Sequence, residues 1–174
     1  YVVSENRELL RRRQYASRRD LRDDILKECG RFPPVPYLVE EFIPTPERVY
    51  TQGVEYKCYV FGGELAATRC IQIQGYTSRA LYYDPEWIPF EDPFNTLRAP
   101  LDPQPRPPNY EDLVALSREM GRSIGTFMRV DFFLSEKGCY FNEFASTPLA
   151  GRGYTPFADA YLGRFWSDHI PDKT

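Results

Sequence analysis

The chain has 174 residues, of which 42% are hydrophobic and 16% aromatic, and its formal net charge is -3. This length and apolar content fit one domain, or a large piece of one, and exclude an intrinsically disordered chain. The weak negative charge provides no basic field for nucleic acid, and no apolar run approaches the roughly 20 residues of a membrane span.

The N-terminal segment predicts the end of a strand followed by a helix. Tyr1-Val2-Val3 begins as a strand already under way, without an initiating Met, so we expect an N-terminally truncated fragment of a longer protein. A helix is predicted over residues 7–29, with Ser4 or Asn6 as its N-cap, and the prolines from Pro33 onward end it. Its seven arginines suggest a nucleic-acid contact, but acidic residues at helical spacing favour a solvated face instead.

The middle of the chain predicts a strand, a β-hairpin and an irregular excursion. Residues 37–43 form a strand that ends at a proline, and residues 55–61 and 64–74 flank a Gly-Gly hairpin turn. The second arm mixes apolar and polar positions, which suits a strand that lines a site. Residues 85–108 hold eight of the 16 prolines, which exclude a regular helix or a central strand. This proline-rich excursion is either a surface loop or a lid that contacts substrate.

The last third predicts a helix, a strand pair and a closing helix. An amphipathic helix covers residues 110–124 between Asn109 as N-cap and Gly125, and a short helix lies around residues 156–166. Between them, residues 128–143 form two strands joined by a tight turn. The whole element order predicts an α+β fold in one domain, with an antiparallel sheet and helices packed on one face.

Cysteine and histidine usage indicates neither a disulfide framework nor a zinc site. Cys29, Cys58, Cys70 and Cys139 are scattered without a CxxC pair, and His169 is the only histidine. We expect reduced cysteines that pack in a cytoplasmic protein, and a surface histidine.

Three charged residues in the last strand pair carry most of the functional information. Arg129 and Asp131 are two residues apart in a strand, so they share a face, and pairing of the two strands brings Glu143 close to Asp131. Buried charges are costly unless they pair with each other, a metal or a charged ligand. Two carboxylates plus nucleotide phosphates commonly hold Mg²⁺, so the pattern indicates phosphate chemistry.

Two other interpretations of these charges stay open. Paired carboxylates also serve as acid and base in glycoside hydrolases, but that chemistry explains Arg129 poorly. An ion network of Arg129, Asp131 and Glu143 without any ligand is the structural alternative.

Five segments, taken together, resemble the central and C-terminal parts of an ATP-grasp domain, and most of all the TupA-like group, named for a teichuronopeptide biosynthesis protein. The segments are residues 37–43, 55–61, 79–87, 128–131 and 141–143. Their order and spacing carry the resemblance, which covers about residues 1–165 of the domain that spans 1–174. The lysine and the glycine-rich phosphate loop of the family's small lobe would precede Tyr1.

The resemblance implies a role for each matching residue. It assigns nucleotide contacts to Glu40, Glu41, Phe42, Ile43, Glu55, Arg69 and Arg79. Within that set the backbone of the strand that ends at Ile43 reads adenine, Glu55 holds the ribose and Arg79 reaches the triphosphate. Lys57 and Arg69 are candidates for phosphate or substrate contacts, and Arg129 steadies the anionic intermediate.

The implied metal site departs from the family pattern. Asp131 and Glu143 match the carboxylates that bridge Mg²⁺ and phosphates. Many ATP-grasp enzymes continue as Glu-x-Asn, whereas Ala145 stands here and cannot coordinate a metal, so Asn142 is the candidate replacement.

The implied reaction is ATP- and Mg²⁺-dependent ligation of a carboxylate to an amine or thiol through an acylphosphate. The expected partners are a small-molecule or glycan carboxylate and an amine acceptor. Two alternatives remain: a degenerate module that binds nucleotide or a partner without turnover, which Ala145 favours, and a kinase-like phosphotransferase. The link to cell-surface polymers rests on analogy alone.

Overall fold

The computed structural model describes residues 3–4, 7–8, 13–30, 43, 54–74 and 77–170. A small sheet holds β1, β2 and β3 (Val3–Ser4, Arg7–Glu8, Arg13–Gln14). The other elements, in chain order, are α1 (Arg18–Cys29), β4 (Val54–Phe61), β5 (Glu64–Gln74), β6 (Thr77–Tyr83), β7 (Ala99–Pro100), α2 (Tyr110–Ile124), β8 (Phe127–Ser135), β9 (Gly138–Ala145), a 3₁₀ helix (Pro148–Gly151) and α3 (Pro156–His169).

The main sheet has six strands in the order β7-β6-β5-β4-β8-β9. All neighbours are antiparallel except β6 and the two-residue β7. Strand β4 therefore lies inside the sheet, between β5 and β8. The α+β class is confirmed.

The helices lie on both faces of this sheet, which corrects the expectation that they pack on one face. Cys58 and Val60 of β4 belong to one apolar cluster, together with residues of α2, whereas Tyr59 and Phe61 belong to a second cluster with residues of α3. Since side chains alternate along a strand, α2 and α3 cover opposite faces. Continuous burial at the end of β4 is the result, because neither face there meets water.

Several predicted elements are confirmed. Gly62 and Gly63 form the hairpin turn with positive φ angles of 57° and 102°, a conformation that glycine adopts without strain. Helix α2 follows Asn109 and ends before Gly125, which has φ 71°. Helix α3 begins near the expected position and runs three residues further, to His169.

Two local predictions differ from the structure. The first helix starts at Arg18 and not at residue 7, because the Ser17 side chain caps it by accepting a hydrogen bond from the Asp20 amide. Strand β6 was not predicted as a separate strand, although it pairs with β5 along its whole length.

The proline-rich excursion packs against the sheet. Trp87 stacks on Tyr83 with ring centroids 4.0 Å apart, and Phe94 stacks on Tyr82 at 4.6 Å. Trp87, Phe94 and Leu101 are buried. The segment has no helix and only the short β7, as its prolines require.

The three cysteine side chains that the structure describes, Cys58, Cys70 and Cys139, are free thiols, as expected. Burial raises the pKa of Cys70 and of Cys139 to about 12. Among the described residues no helix is long and apolar enough to cross a membrane.

Candidate functional site

The candidate site lies on the α3 face of the sheet, beside the aromatic cluster under that helix. Cross-strand pairing builds it: Lys57 of β4 faces Asp131 of β8 on one side and Arg69 of β5 on the other. Asp131 in turn faces Glu143 of β9. Directly paired residues project to the same face, so all four side chains share it.

Asp131 is the centre of an ion network. It is completely buried and accepts two hydrogen bonds from Arg129, from Nε to Oδ1 and from Nη2 to Oδ2, both at 2.6 Å. Lys57 Nζ donates a short hydrogen bond to Oδ2. Arg129 Nη2 also reaches Glu143 Oε1 at 2.9 Å, and the Glu143 side chain is 55% exposed. The strand pair thus brings together the three charges that its sequence predicted.

Lys57 and Glu55 complete the network. Lys57 Nζ lies 2.7 Å from Glu55 Oε1 and 3.9 Å from Glu143 Oε1. A β-bulge lies between the pairs Asp131–Glu143 and Phe132–Phe141, which leaves Asn142 as the extra residue of β9. Asn142 Nδ2 donates to Glu55 Oε1 at 3.0 Å. The bulge therefore brings Asn142 to the site, where its amide donates to a carboxylate.

The carboxylates of this network fit a divalent cation in type and spacing. One oxygen each from Glu55, Asp131 and Glu143 lies within 4.8 Å of the others. Mg²⁺ prefers such oxygen ligands. The three carboxylates face two cations, Lys57 and Arg129, so one negative charge is left over. Because both oxygens of Asp131 already accept hydrogen bonds, Glu55 and Glu143 are the better donors to a metal.

Electrostatics hold the Arg129 guanidinium in its charged form. Burial alone would lower the pKa of Arg129, but the hydrogen bonds and charge of Asp131 outweigh it and raise the pKa. Burial also raises the pKa of Tyr59, Tyr82 and Tyr154, whose hydroxyls are linked at 3.4 Å (Tyr59 to Tyr82) and 3.2 Å (Tyr154 to Tyr59). These phenols stay neutral beside the ion network.

The predicted nucleotide contacts are distributed unevenly. Arg69 is buried beside the network, with its guanidinium 5.3 Å from the centre of the Tyr82 ring. Arg79 is exposed and pairs with Gln72 rather than with a residue of the Arg69 face, so it lies on the other side of the sheet. Arg79 forms an ion pair with the exposed Asp102, at 3.8 Å.

The structure describes little of the strand that was predicted to bind adenine. Glu40, Glu41 and Phe42 lie outside the described residues, and Ile43 is half-buried without belonging to a helix or strand. Their assignment stays a prediction.

Sequence reasoning did not single out Asn95 or Tyr154. Asn95 comes from the proline-rich excursion and Tyr154 from the loop before α3, and an isolated β-bridge joins the two. No sequence motif marks either residue, because the sequence of a long loop does not predict which parts of the fold it contacts.

Comparisons with known proteins leave the family open. No family model matches the chain, and no curated protein gives a significant match. Among solved structures it is similar to two of the ATP-grasp ligase PsnB, one complexed with a phosphomimetic variant of a minimal precursor, Mg and ADP, the other with the minimal precursor. Both are 12% identical with a TM-score of 0.33 and cover 66% of this chain.

The chain spans about a third of the length of those two structures, 34% and 36%. A likeness this distant supports neither a shared fold nor a shared activity. The ATP-grasp assignment therefore remains a prediction from the sequence.

Proposed function

We propose that the ion network on the α3 face is the Mg²⁺-nucleotide site of an ATP-dependent ligase. The observation that carries this proposal is the convergence of Glu55, Asp131 and Glu143 within 4.8 Å beside two buried cations. Two of these carboxylates, Asp131 and Glu143, are the ones that the ATP-grasp resemblance assigns to Mg²⁺. The carboxylate cluster thus supports the proposal by containing both of these residues.

Within this site Glu55 and Glu143 would hold the metal, and Asn142 would orient Glu55 through their hydrogen bond. Bound Mg²⁺ supplies charge neutralisation for the phosphates. Asp131 keeps Arg129 and Lys57 in place and so acts mainly as a positioning residue. Lys57 must shift away from the carboxylates for the metal to enter, because its Nζ now contacts all three.

The proposed reaction joins a carboxylate to an amine, or to a thiol. An oxygen of the acid attacks the γ-phosphorus of ATP, the bond to the β–γ bridging oxygen breaks, and ADP leaves. The amine then attacks the acylphosphate carbon, inorganic phosphate departs, and a proton is lost from the amine. Arg129 and Lys57 offset the negative charge on the transferring phosphoryl group. The proposed partners are a small-molecule or glycan carboxylate and an amine acceptor, in the cytoplasm.

A nucleotide-binding module without turnover is the second candidate function. Two observations favour it: Lys57 already neutralises the carboxylates, and Ala145 replaces the asparagine of the common Glu-x-Asn pattern. A kinase-like phosphotransferase would use the same nucleotide site, and only the acceptor separates it from the ligase.

Calorimetry with ATP tests the nucleotide site. We expect saturable heat with Mg²⁺ and at least a tenfold weaker affinity when Mg²⁺ is replaced by a chelator. Glu143→Gln removes a charge from an exposed side chain and should weaken the Mg²⁺-dependent binding tenfold or more. Glu119→Gln on the exposed side of α2 is the matched control and should bind like the wild type. Absence of heat with Mg²⁺ contradicts the proposal.

A coupled assay for ADP then separates the candidate activities. Hydroxylamine serves as the amine, and a panel of carboxylic acids serves as the first substrate. A ligase forms ADP and a hydroxamate together, and only when an acid is present. ADP without acid indicates an ATPase. ADP that forms without hydroxamate, and only when a sugar or polyol is added, indicates phosphate transfer to that hydroxyl acceptor. Binding without any ADP favours the module without turnover.

A further inference from the structure

Arg69 is a buried cation that lacks an acidic partner among the described residues. The residue is 2% exposed, and its Nε and Nη2 atoms find no hydrogen-bond partner in the part of the chain that the structure describes. Its direct neighbours across the strands are Lys57 and Tyr82, a second cation and a phenol. Burying an unpaired charge is unfavourable, so this arrangement needs an anion from elsewhere.

The unpaired atoms of Arg69 form the edge that binds carboxylates. Nε–H and Nη2–H of a guanidinium point in parallel and match the two oxygens of a carboxylate. Arg129 uses this same edge on Asp131, with both bonds at 2.6 Å. Contact with the Tyr82 ring leaves the Arg69 edge available, because a cation over a ring face does not consume its N–H groups.

A cavity of about 210 Å³ lies against Arg69, and it contains a second unpaired donor. Asn95 also lines this cavity, and its Nδ2 is buried without a partner among the described residues. The Asn95 side chain is fixed because its Oδ1 accepts a hydrogen bond from the Leu97 amide at 2.8 Å. Two independent elements, β5 and the proline-rich excursion, therefore bring unpaired donors to one cavity.

The remaining walls suit a small organic acid. Tyr82, Phe90 and Phe94 provide aromatic surface. The rim carries charges of both signs on exposed side chains, Glu91, Asp92 and Arg98. The buried interior is thus cationic and aromatic, whereas these three rim side chains sum to a net charge of -1.

We propose that this cavity binds a small molecule through a carboxylate that accepts two hydrogen bonds from Arg69 and one from Nδ2 of Asn95. The site itself stands on the contacts above. Its role as the anchor for one of the two substrates rests on the proposed function. A carboxylate held in this way is an anchoring group and not the reacting one, because two charge-assisted hydrogen bonds reduce its nucleophilicity.

NMR titration of the protein with benzoate, acetate and inorganic phosphate tests the site. The side-chain Nε–H signal of Arg69 reports directly on the proposed contact. We expect benzoate to shift this signal saturably and to bind more tightly than acetate, because it also covers the aromatic walls. Inorganic phosphate should bind more weakly than benzoate, because it can pair with the guanidinium but cannot cover the aromatic walls.

Three variants sharpen the titration. Arg69→Met should weaken benzoate binding at least tenfold, and Asn95→Ala about threefold. Arg164→Met, on the exposed side of α3, is the matched control and should bind benzoate like the wild type. Amide spectra of each variant show whether it is folded, and Asn95→Ala tests the site even if Arg69→Met misfolds.

Two results would overturn the carboxylate site. Tighter binding of phosphate than of benzoate, with displacement by ATP, would assign Arg69 to the nucleotide. An Arg69 signal that responds to none of the three anions would mean that its edge is satisfied by solvent. Failure of the proposed function is distinguishable, because Mg²⁺-dependent ATP binding is measured separately: its loss with benzoate binding intact would leave the carboxylate site standing.

Discussion

Two arginines on the same face of the sheet differ in what the chain provides for them. Arg129 on β8 is 7% exposed, and Arg69 on β5 is 2% exposed, with β4 between the two strands. Arg129 binds Asp131 through Nε and Nη2, while the same edge of Arg69 has no partner among the described residues. The charge of Arg129 is thus neutralised within the folded chain, whereas the charge of Arg69 remains available to an anionic ligand.

A chain of phenols joins the two arginines. Tyr59 faces Arg129 across the strands, Tyr82 faces Arg69, and the two hydroxyls lie 3.4 Å apart. Tyr154 donates to Tyr59 at 3.2 Å. Both arginines lower the pKa of Tyr82 and Tyr154, although burial, the larger cause, raises it overall. The two regions are therefore neighbours in one electrostatic field.

The largest effect is expected for Asp131→Asn. This change removes the charge that pairs with both Arg129 and Lys57 inside the protein, so two buried cations lose their main partner. Breaking a buried ion pair typically costs about 3–5 kcal/mol in the free energy of unfolding. Urea denaturation measures it, with Asp102→Asn in an exposed ion pair as the control that should change by less than about 1 kcal/mol.

A smaller effect is expected for Glu55→Gln. The Glu55 side chain is only 14% exposed and accepts hydrogen bonds from Lys57 and Asn142, so its loss should cost about 1.5–3 kcal/mol. Glu143→Gln serves as the comparison, because its 55% exposure limits the loss to below about 1 kcal/mol. Equal losses of unfolding free energy in the two variants would mean that the buried Glu55 and the exposed Glu143 contribute equally to stability, against this prediction.

The smallest effect is expected for Tyr59→Phe, which should change how steeply stability declines at alkaline pH. The folded protein keeps the Tyr59 phenol protonated because burial raises its pKa, whereas the unfolded chain loses that proton near pH 10. The contribution of the Tyr59 phenol to the free energy of unfolding is therefore constant below about pH 10. It falls as pH rises toward the folded pKa, by at most about 1.4 kcal/mol per pH unit. Urea midpoints from pH 8 to 11 should decline less steeply for Tyr59→Phe than for the wild type. An unchanged slope contradicts the assignment.

The ion network was partly predictable from the sequence because short-range rules determine much of it. The tight turn after Ser135 pairs β8 with β9, and strand alternation places Arg129 beside Asp131. The β-bulge at Asn142, which moves Glu143 opposite Asp131, has no signal in the sequence. The Gly62-Gly63 turn sets the first pairs of the hairpin, and a register shift between Tyr59 and Val60 then places Lys57 opposite Arg69. The sequence could not show that Lys57 lies among the carboxylates, because this depends on β4 pairing with β8, far along the chain.

The carboxylate cavity was not predictable for a related reason. Asn95 reaches the Arg69 face only because the proline-rich excursion folds back on β6 and forms a bridge to Tyr154. Prolines exclude regular structure but do not say where a loop lies. The position of α3 on the second face also escaped prediction, since an amphipathic helix does not reveal which face of a sheet it covers.

The measurement that tests this account most directly is the free energy of unfolding of Arg129→Met and Arg69→Met, determined by urea denaturation in one buffer without added carboxylates. Arg129→Met leaves Asp131 buried without its main partner, so we expect a loss of about 3–5 kcal/mol. Arg69→Met removes a buried charge that is unpaired among the described residues, so stability should be unchanged or higher. Similar losses in both variants would contradict the account, because Arg69 would then have a partner that contributes to folding.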